Sequence, residues 1–386
     1  AGIDEIIFRT VNGFLFDFSH DSYAKIKADT NFDRLQTIYN ADNKIQIAEI
    51  LDQAYSITIE EWNKMSVNSR LGCDTIYSKK YCVQKNLHSF ETLINSSATS
   101  GQVVSSAISP PFTKIKIFIN FKPNPLLPYG GGNISIYYLV SILGNPYSDF
   151  EIVYELSRDI DIYLIVDPFK DRVGFKKYSL EDIVSQRLAK NVVGGKIVVR
   201  INDCDITRPD SAADKSRENE IIKYYKHINY FIFNSQFIRN YYFAKLKTFN
   251  LAIPSHNYSV ILNGCDQTIF TNNPKTSPKT KLKIITHHWS NNMNKGYQLY
   301  HDLWKYSQTD VGKAHVEFYF IGKNVPEMFS DVPIIGPLVS GEINAELNKN
   351  HVYITDSRFD SCPNHILEAI SCGLPILYSN VEGGVK

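Results

Sequence analysis

A stretch late in the chain, Ser357 to Pro375 (SRFDSCPNHILEAISCGLP), gathers residue types that bind polar ligands. Asp360 and Glu368 stand with seven residues between them, and an ionised carboxylate can accept two hydroxyl donors. Cys362, Pro363 and Asn364 open a predicted helix, where backbone N–H groups lack intrahelical partners and can hold a phosphate or a hydroxyl. Proline also suits a first helical turn for conformational reasons alone. Upstream, Lys295 directly precedes Gly296 at the start of another predicted helix. An ammonium group beside free N–H groups and the positive end of the helix dipole favours phosphate. Gly130, Gly131 and Gly132 permit a tight loop and close backbone approach before the next helix. In VVRINDCD (Val198–Asp205), Arg200, Asn202 and Asp203 stand at the end of a strand-like run. Each residue has a plainer reading. Lys295 and Glu368 are then exposed side chains, Asp360 an acid flanking a helix start, the glycines a flexible turn, and Arg200 one partner of a salt bridge. Cys372 and Gly373 serve packing and helix termination.

The elements that must position these groups follow an α/β pattern. Lys114–Phe121 (KIKIFINF), Ile160–Val166, Lys196–Ile201 and Tyr230–Phe233 are short β-rich runs, separated by helical stretches such as Ser216–His227. From Lys281 the pattern repeats as KLKIITH, a helix near Lys295–Tyr306, VEFYFIG, VPIIG, HVYIT, a helix from about Pro363, and PILYS. Such alternation predicts parallel sheets covered by helices, in two domains. Two domains also suit 386 residues. Facing each other they leave a cleft, and open α/β sheets bind ligands beyond the carboxyl ends of their strands. Asn95–Pro111 (NSSATSGQVVSSAISPP) has the composition of a linker, and Thr271–Lys281 marks a shorter break.

Composition narrows the partners. A net charge of +1 gives no electrostatic reason to expect nucleic acid. The six cysteines form no C-x-x-C pair or Cys/His cluster, so no metal site is expected, and they read as scattered reduced thiols of a cytoplasmic protein. No run of about 18 apolar residues and no signal peptide is apparent, so any membrane contact is expected to be peripheral.

The segment Lys281–Lys386 resembles glycosyltransferase family 4, retaining enzymes of the GT-B fold with two Rossmann-like domains. The landmarks occur in family order. They are Gly130–Gly132, VILNGCDQTIF (Val260–Phe270), THHWSNNMNKG (Thr286–Gly296), YFIG (Tyr319–Gly322), IIGPLVSGEINAELNKN (Ile334–Asn350), and Asp360 with Glu368 in FDSCPNHILEAISCGLP. The resemblance implies a hexosyltransferase that uses a nucleotide-diphosphate sugar as donor substrate, with no cofactor and no metal, and a glycan, lipid-linked or protein-linked acceptor. It assigns Lys295 to the diphosphate, Asp360 to the hexose and Glu368 to the nucleotide ribose. Gly131, Gly132, Ser290, Cys362, Pro363 and Asn364 become donor-binding candidates, and Arg200, Asn202 and Asp203 acceptor-side candidates. The family usually places an Arg about five residues before the Lys. Here that position is Ser290, with His287 and His288 as possible substitute donors.

Residues 1–97 resemble the end of such a chain, from the phrase AGIDEII…VNGFLFDF onward, whereas 112–386 resemble everything before it. One explanation is circular permutation. Residues 1–97 then complete the donor domain of 276–386, 98–111 form the linker, and 112–275 form the acceptor-side domain. The other is a tandem enzyme, with the tail of one transferase followed by the body of the next; VEGGVK and AGIDEI partly duplicate one family position. Permutation is favoured because the two pieces make one complete fold. The competing function is a degenerate transferase-like protein that binds a nucleotide sugar or a partner without turnover.

Overall fold

Runs such as Leu282–Ile285 and Val352–Thr355 carry apolar or neutral side chains almost without interruption, as expected for strands covered on both faces. The computed structural model describes residues 13–16, 58–75, 78–98, 114–124, 131–170, 175–189, 194–207, 216–273 and 280–379. In chain order the elements begin with strand β1 (Gly13–Phe16) and helices α1 (Ile59–Thr75) and α2 (Lys79–Ala98). There follow β2 (Ile115–Ile119), α3 (Gly131–Leu143), β3 (Phe150–Val153), β4 (Ile162–Ile165), α4 (Leu180–Ala189) and β5 (Lys196–Ile201). Next come α5 (Arg217–Lys223), β6 (Tyr230–Phe233), α6 (Gln236–Lys247) and β7 (Tyr258–Val260). Then come β8 (Leu282–His288), α7 (Tyr297–Ser307), α8 (Asp310–His315), β9 (Val316–Gly322) and β10 (Ile334–Ile335). The last are α9 (Ser340–Leu347), β11 (Val352–Thr355), α10 (Asn364–Ser371) and β12 (Ile376–Ser379).

Two compact units result, one from Ala1–Ser78 with Cys265–Lys386, the other from Lys79–Gly264. Each is α/β with a parallel sheet. In the first unit the strand order is β1-β12-β11-β8-β9-β10, with every pairing parallel. Counted from β8, this is the doubly wound order 3-2-1-4-5-6, and β1 occupies the sixth place. Its register sets Gly13 opposite Ile376 and Phe16 opposite Ser379. Helix α1 packs on α10. Trp62, 1% exposed, donates its indole N–H to the His351 carbonyl at 2.7 Å. Arg70 donates to the Phe270 and Ser371 carbonyls at 2.7 and 3.0 Å. The core joins Leu282 and Ile284 to Tyr300, Leu303, Phe320 and Ile354.

The second unit orders its strands β3-β2-β4-β5-β6-β7, again all parallel. Successive side chains of a strand face opposite ways, so β2 feeds two cores. Phe118 joins the core beneath α4 and α6, with Ile183, Val199 and Tyr242. Ile117 and Ile119 join the opposite core, beneath α2 and α3, with Phe90 and Ile136.

Several sequence expectations are corrected here. The units divide at Ser78/Lys79 and Gly264/Cys265, not at 97 and 275. Helix α2 buries Val83, Phe90 and Leu93 on the second unit's sheet and so does not complete the first unit. It also continues to Ala98, over what reads as the start of a linker; residues 99–111 lie outside the described residues. The helical stretch Ser216–His227 is α5, capped by the Ser216 side chain, plus a separate short turn at Tyr225–His227. VPIIG supplies only a two-residue strand. All six cysteines are buried thiols, and no described helix is long and apolar enough to cross a membrane.

Candidate functional site

In a 3-2-1-4-5-6 sheet the order reverses between the first and fourth strands, and a crevice opens beyond their carboxyl ends. Here those strands are the adjacent pair β8 and β11. The loops that follow them carry Lys295 and Asp360. Gly296 lets them meet: its φ is +86°, and a Cβ there would stand 2.6 Å from the Asp356 Cβ. The approach is fixed by the Arg358 N–H, which donates to the Asn294 carbonyl at 2.7 Å. Phe359, with φ +53°, turns the chain through the left-handed region, and such non-glycine residues cluster where structure over-determines them.

The result is a contact between Lys295 Nζ and Asp360 Oδ2 at 2.6 Å. His365 Nε2 lies 3.4 Å from the same oxygen. Burial alone would raise the Asp360 pKa, but the Lys295 ammonium and His365 outweigh it and hold the carboxyl well below the usual range. Burial pushes His365 down to about 4, despite the opposing pull of Asp360. Its ring is therefore neutral at pH 7. The Tyr353 hydroxyl reaches His365 Nδ1 at 3.0 Å and His287 Nδ1 at 3.2 Å, and His287 Nε2 meets Glu368 Oε2 at 2.8 Å. Lys295, Asp360, His365, Tyr353, His287 and Glu368 thus form one continuous polar chain. It joins the two carboxylates singled out in the sequence.

The remaining first-unit candidates surround this chain in sequence. Pro363 caps α10 without a side-chain bond, and Cys362 and Asn364 are buried. Ser290 is half-buried, and its carbonyl accepts the Tyr297 hydroxyl at 2.5 Å. His288, offered by the sequence as a substitute hydrogen-bond donor, lies on β8. It is 2% exposed and stacked on Tyr300, with Nε2 3.0 Å from that hydroxyl. Burial, with help from the neighbouring His365, Lys295 and His287, holds it well below the usual histidine range. His287 is likewise committed to Glu368. Among the described residues, no group of three or more His, Cys, Asp or Glu side chains could hold a metal ion.

The second unit holds the other candidates. Gly131 and Gly132 open α3, whereas Gly130 lies outside the described residues. Arg200, on β5, is 4% exposed, donating to Asn202 Oδ1 and, at 2.8 Å, to Asn263 Oδ1. The Asn202 carbonyl accepts from the Asn234 amide at 2.9 Å, and the Asp203 carbonyl from Tyr242 at 3.4 Å. Arg200 and Asn202 form a hydrogen-bonded pair.

No protein-family model and no curated protein matches the chain. Among solved structures, HepE of Anabaena in complex with UDP and glucose is 13% identical, with a TM-score of 0.47 over 70% of this chain and 82% of that one. Sucrose-phosphate synthase of Thermosynechococcus elongatus is 10% identical, with a TM-score of 0.49 over 71% and 82%. WaaG, a glycosyltransferase involved in lipopolysaccharide biosynthesis, is 11% identical, with a TM-score of 0.42 over 70% and 82%.

Proposed function

We propose that the chain is a retaining glycosyltransferase of the GT-B class that takes a hexose from a nucleotide-diphosphate sugar. The carrying observation is the Lys295–Asp360 contact at the switch point of the first unit's sheet, tied through His365, Tyr353 and His287 to Glu368. In this reading Lys295 neutralises the charge that builds on the departing diphosphate, the largest electrostatic demand of the step. Asp360 accepts hexose hydroxyls and Glu368 ribose hydroxyls. Cys362 and Asn364 offer backbone N–H groups at the start of α10, where Pro363, with no N–H of its own, sets the backbone angle, and Ser290 stands on the neighbouring loop. The bond from the anomeric carbon to the diphosphate oxygen breaks, leaving its electron pair on the nucleotide. The new bond to the acceptor oxygen forms on the same face, and the acceptor proton leaves with the diphosphate. The second unit, with Gly131, Gly132, Arg200, Asn202 and Asp203, supplies the acceptor side. The order 3-2-1-4-5-6, completed by β1, supports reading the chain as a circular permutant.

A second reading keeps binding and drops turnover. It is favoured by the side chain at position 290, a serine where the family usually has Arg, which leaves Lys295 as the principal cation on this loop. A panel of UDP-, GDP- and ADP-sugars, scored for thermal stabilisation and for nucleotide release, separates the two. Release that is lost in Lys295→Ala, with at least about a hundredfold fall in rate, supports the transferase. Stabilisation without release, acceptors included, supports the binder. No stabilisation by any donor sinks both.

A further inference from the structure

Lys295 is claimed twice. Its ammonium already touches Asp360 Oδ2 at 2.6 Å, yet a bound diphosphate needs the same charge. The Asp360 side chain is largely buried, and a buried carboxylate that loses its cation is destabilised unless another donor takes its place. A donor within reach is His365 Nε2, 3.4 Å from Asp360 Oδ2 and also 3.4 Å from Ser357 Oγ. Both contacts are long, so this N–H has room to strengthen.

What governs it lies on the other side of the ring. His365 Nδ1 is 3.0 Å from the Tyr353 hydroxyl, and His287 Nδ1 is 3.2 Å from the same oxygen. With each Nε2 proton turned to a carboxylate, both Nδ1 atoms are acceptors, and the single hydroxyl proton serves one of them. An imidazole that accepts at Nδ1 donates more strongly at Nε2, because bonds in a chain polarise one another. The two rings compete unequally. Glu368 draws on His287 Nε2 from 2.8 Å and makes His287 Nδ1 the richer acceptor. Asp360 draws on His365 only from 3.4 Å, with Lys295 cancelling part of its charge.

We propose that Tyr353, with His287 and His365, relays ribose binding at Glu368 to Asp360, so that a bound nucleotide frees Lys295 for its diphosphate. Without ligand the hydroxyl proton turns to His287. Ribose hydroxyls donating to Glu368 spread its charge and weaken that pull, and the proton turns to His365. His365 then donates more strongly to Asp360 in place of Lys295. Only the O–H rotates, and every proton stays on its own atom. The three residues are positioning residues, and their role rests on the donor-site reading of Glu368, Asp360 and Lys295.

The test is nitrogen-15 NMR of the histidine side chains in the full chain. The ligands are UDP, GDP or ADP and the corresponding 2′,3′-dideoxynucleoside diphosphate, each at saturation. The two forms share base and diphosphate and differ only in the hydroxyls offered to Glu368. From the dideoxy ligand to the natural one, His365 Nδ1 moves upfield as it gains the hydroxyl bond, and His287 Nδ1 moves downfield as it loses it. His301, held on Asp331 at 2.9 Å, stays where it is. In Tyr353→Phe the opposed movement disappears. The natural ligand's advantage in affinity over the dideoxy one also falls there about fivefold or more, the low end of coupling between sites. The ligand comparison is made on the unsubstituted chain and so does not depend on the variant folding. Identical shifts with the two ligands overturn the relay and leave donor binding intact. So do opposed shifts, or an affinity advantage, that persist unchanged in Tyr353→Phe. Failure of all three nucleotides to bind removes the donor-site reading, and the relay with it.

Discussion

One hydroxyl, that of Tyr353, stands between His287 and His365 and sets how the two carboxylates of the candidate site are held. If each imidazole gives its Nε2 proton to its own carboxylate, both Nδ1 atoms become acceptors facing the same O–H. That hydroxyl donates to one at a time, while its oxygen also accepts the His287 backbone N–H at 3.1 Å. Burial, first among the causes, raises its pKa well above the usual tyrosine range, so the proton stays in place. Tyr353→Phe keeps the ring in its fully buried position and removes only this junction. The expected loss is about 1–3 kcal/mol of stability in denaturant unfolding, with weaker nucleotide-sugar binding because neither histidine is oriented. Unchanged stability and affinity would show that the chain of contacts is incidental. Lys295, Asp360 and Glu368 are legible in the sequence because they share short phrases with loop and helix starts. Tyr353 and His365 are not. Tyr353 meets His287 only because β11 pairs with β8, and His365 reaches Tyr353 and Asp360 from α10 only through the path of the loop between β11 and α10.

At the level of elements, the strands were the readable part, because four buried apolar runs from Leu282 to Ser379 cannot be satisfied outside a two-sided sheet. Helix α2 was not. Its apolar positions say that it packs, but not against which sheet, and nothing local distinguishes its destination from that of α1. The junction between the β8 and β11 loops was half readable. Glycine before a helix suggests a turn, but not the close approach to Asp356. Gly296→Ala faces two penalties there, a left-handed φ and a Cβ 2.6 Å from another Cβ. Together they amount to about 2–4 kcal/mol, with donor affinity falling as the Lys295 and Asp360 loops separate. Gly341→Ala in the same unit is the control, since a Cβ there meets nothing within 4 Å. It should leave binding alone and raise stability by up to about 1 kcal/mol. Equal effects of the two substitutions would remove Gly296 from the account of the site.

For the molecule as a whole, the two units carry buried titratable groups of opposite sign. In the first, His365 is held at about 4 by burial and His288 is held low for the same reason. Their unfolded forms take up protons near pH 6.5 while the folded forms do not, so this unit loses stability as pH falls from 6.5 toward 4. In the second, Glu218 is 1% exposed, and burial, then the adjacent Asp205, raises it to about 7. Its folded form holds a proton that the unfolded carboxyl has released above pH 4.5. That contribution is present below 4.5 and disappears as pH rises toward 7. Acidification from pH 7 to pH 5 should therefore weaken the first unit and strengthen the second. Hydrogen exchange read peptide by peptide, with intrinsic rates corrected for pH, would show β8, β11 and α10 losing protection while β5 and α5 gain it. Glu218→Gln should abolish the gain in the second unit without altering the loss in the first. The same measurement addresses chain order. Trp62→Ala, which removes a buried indole on α1 at a cost of about 3–5 kcal/mol, should deprotect β8, β11 and α10 and spare β5. Deprotection confined to α1 would mean that the residues before Ser78 do not complete the sheet of Cys265–Lys386, and the permutant reading would fail.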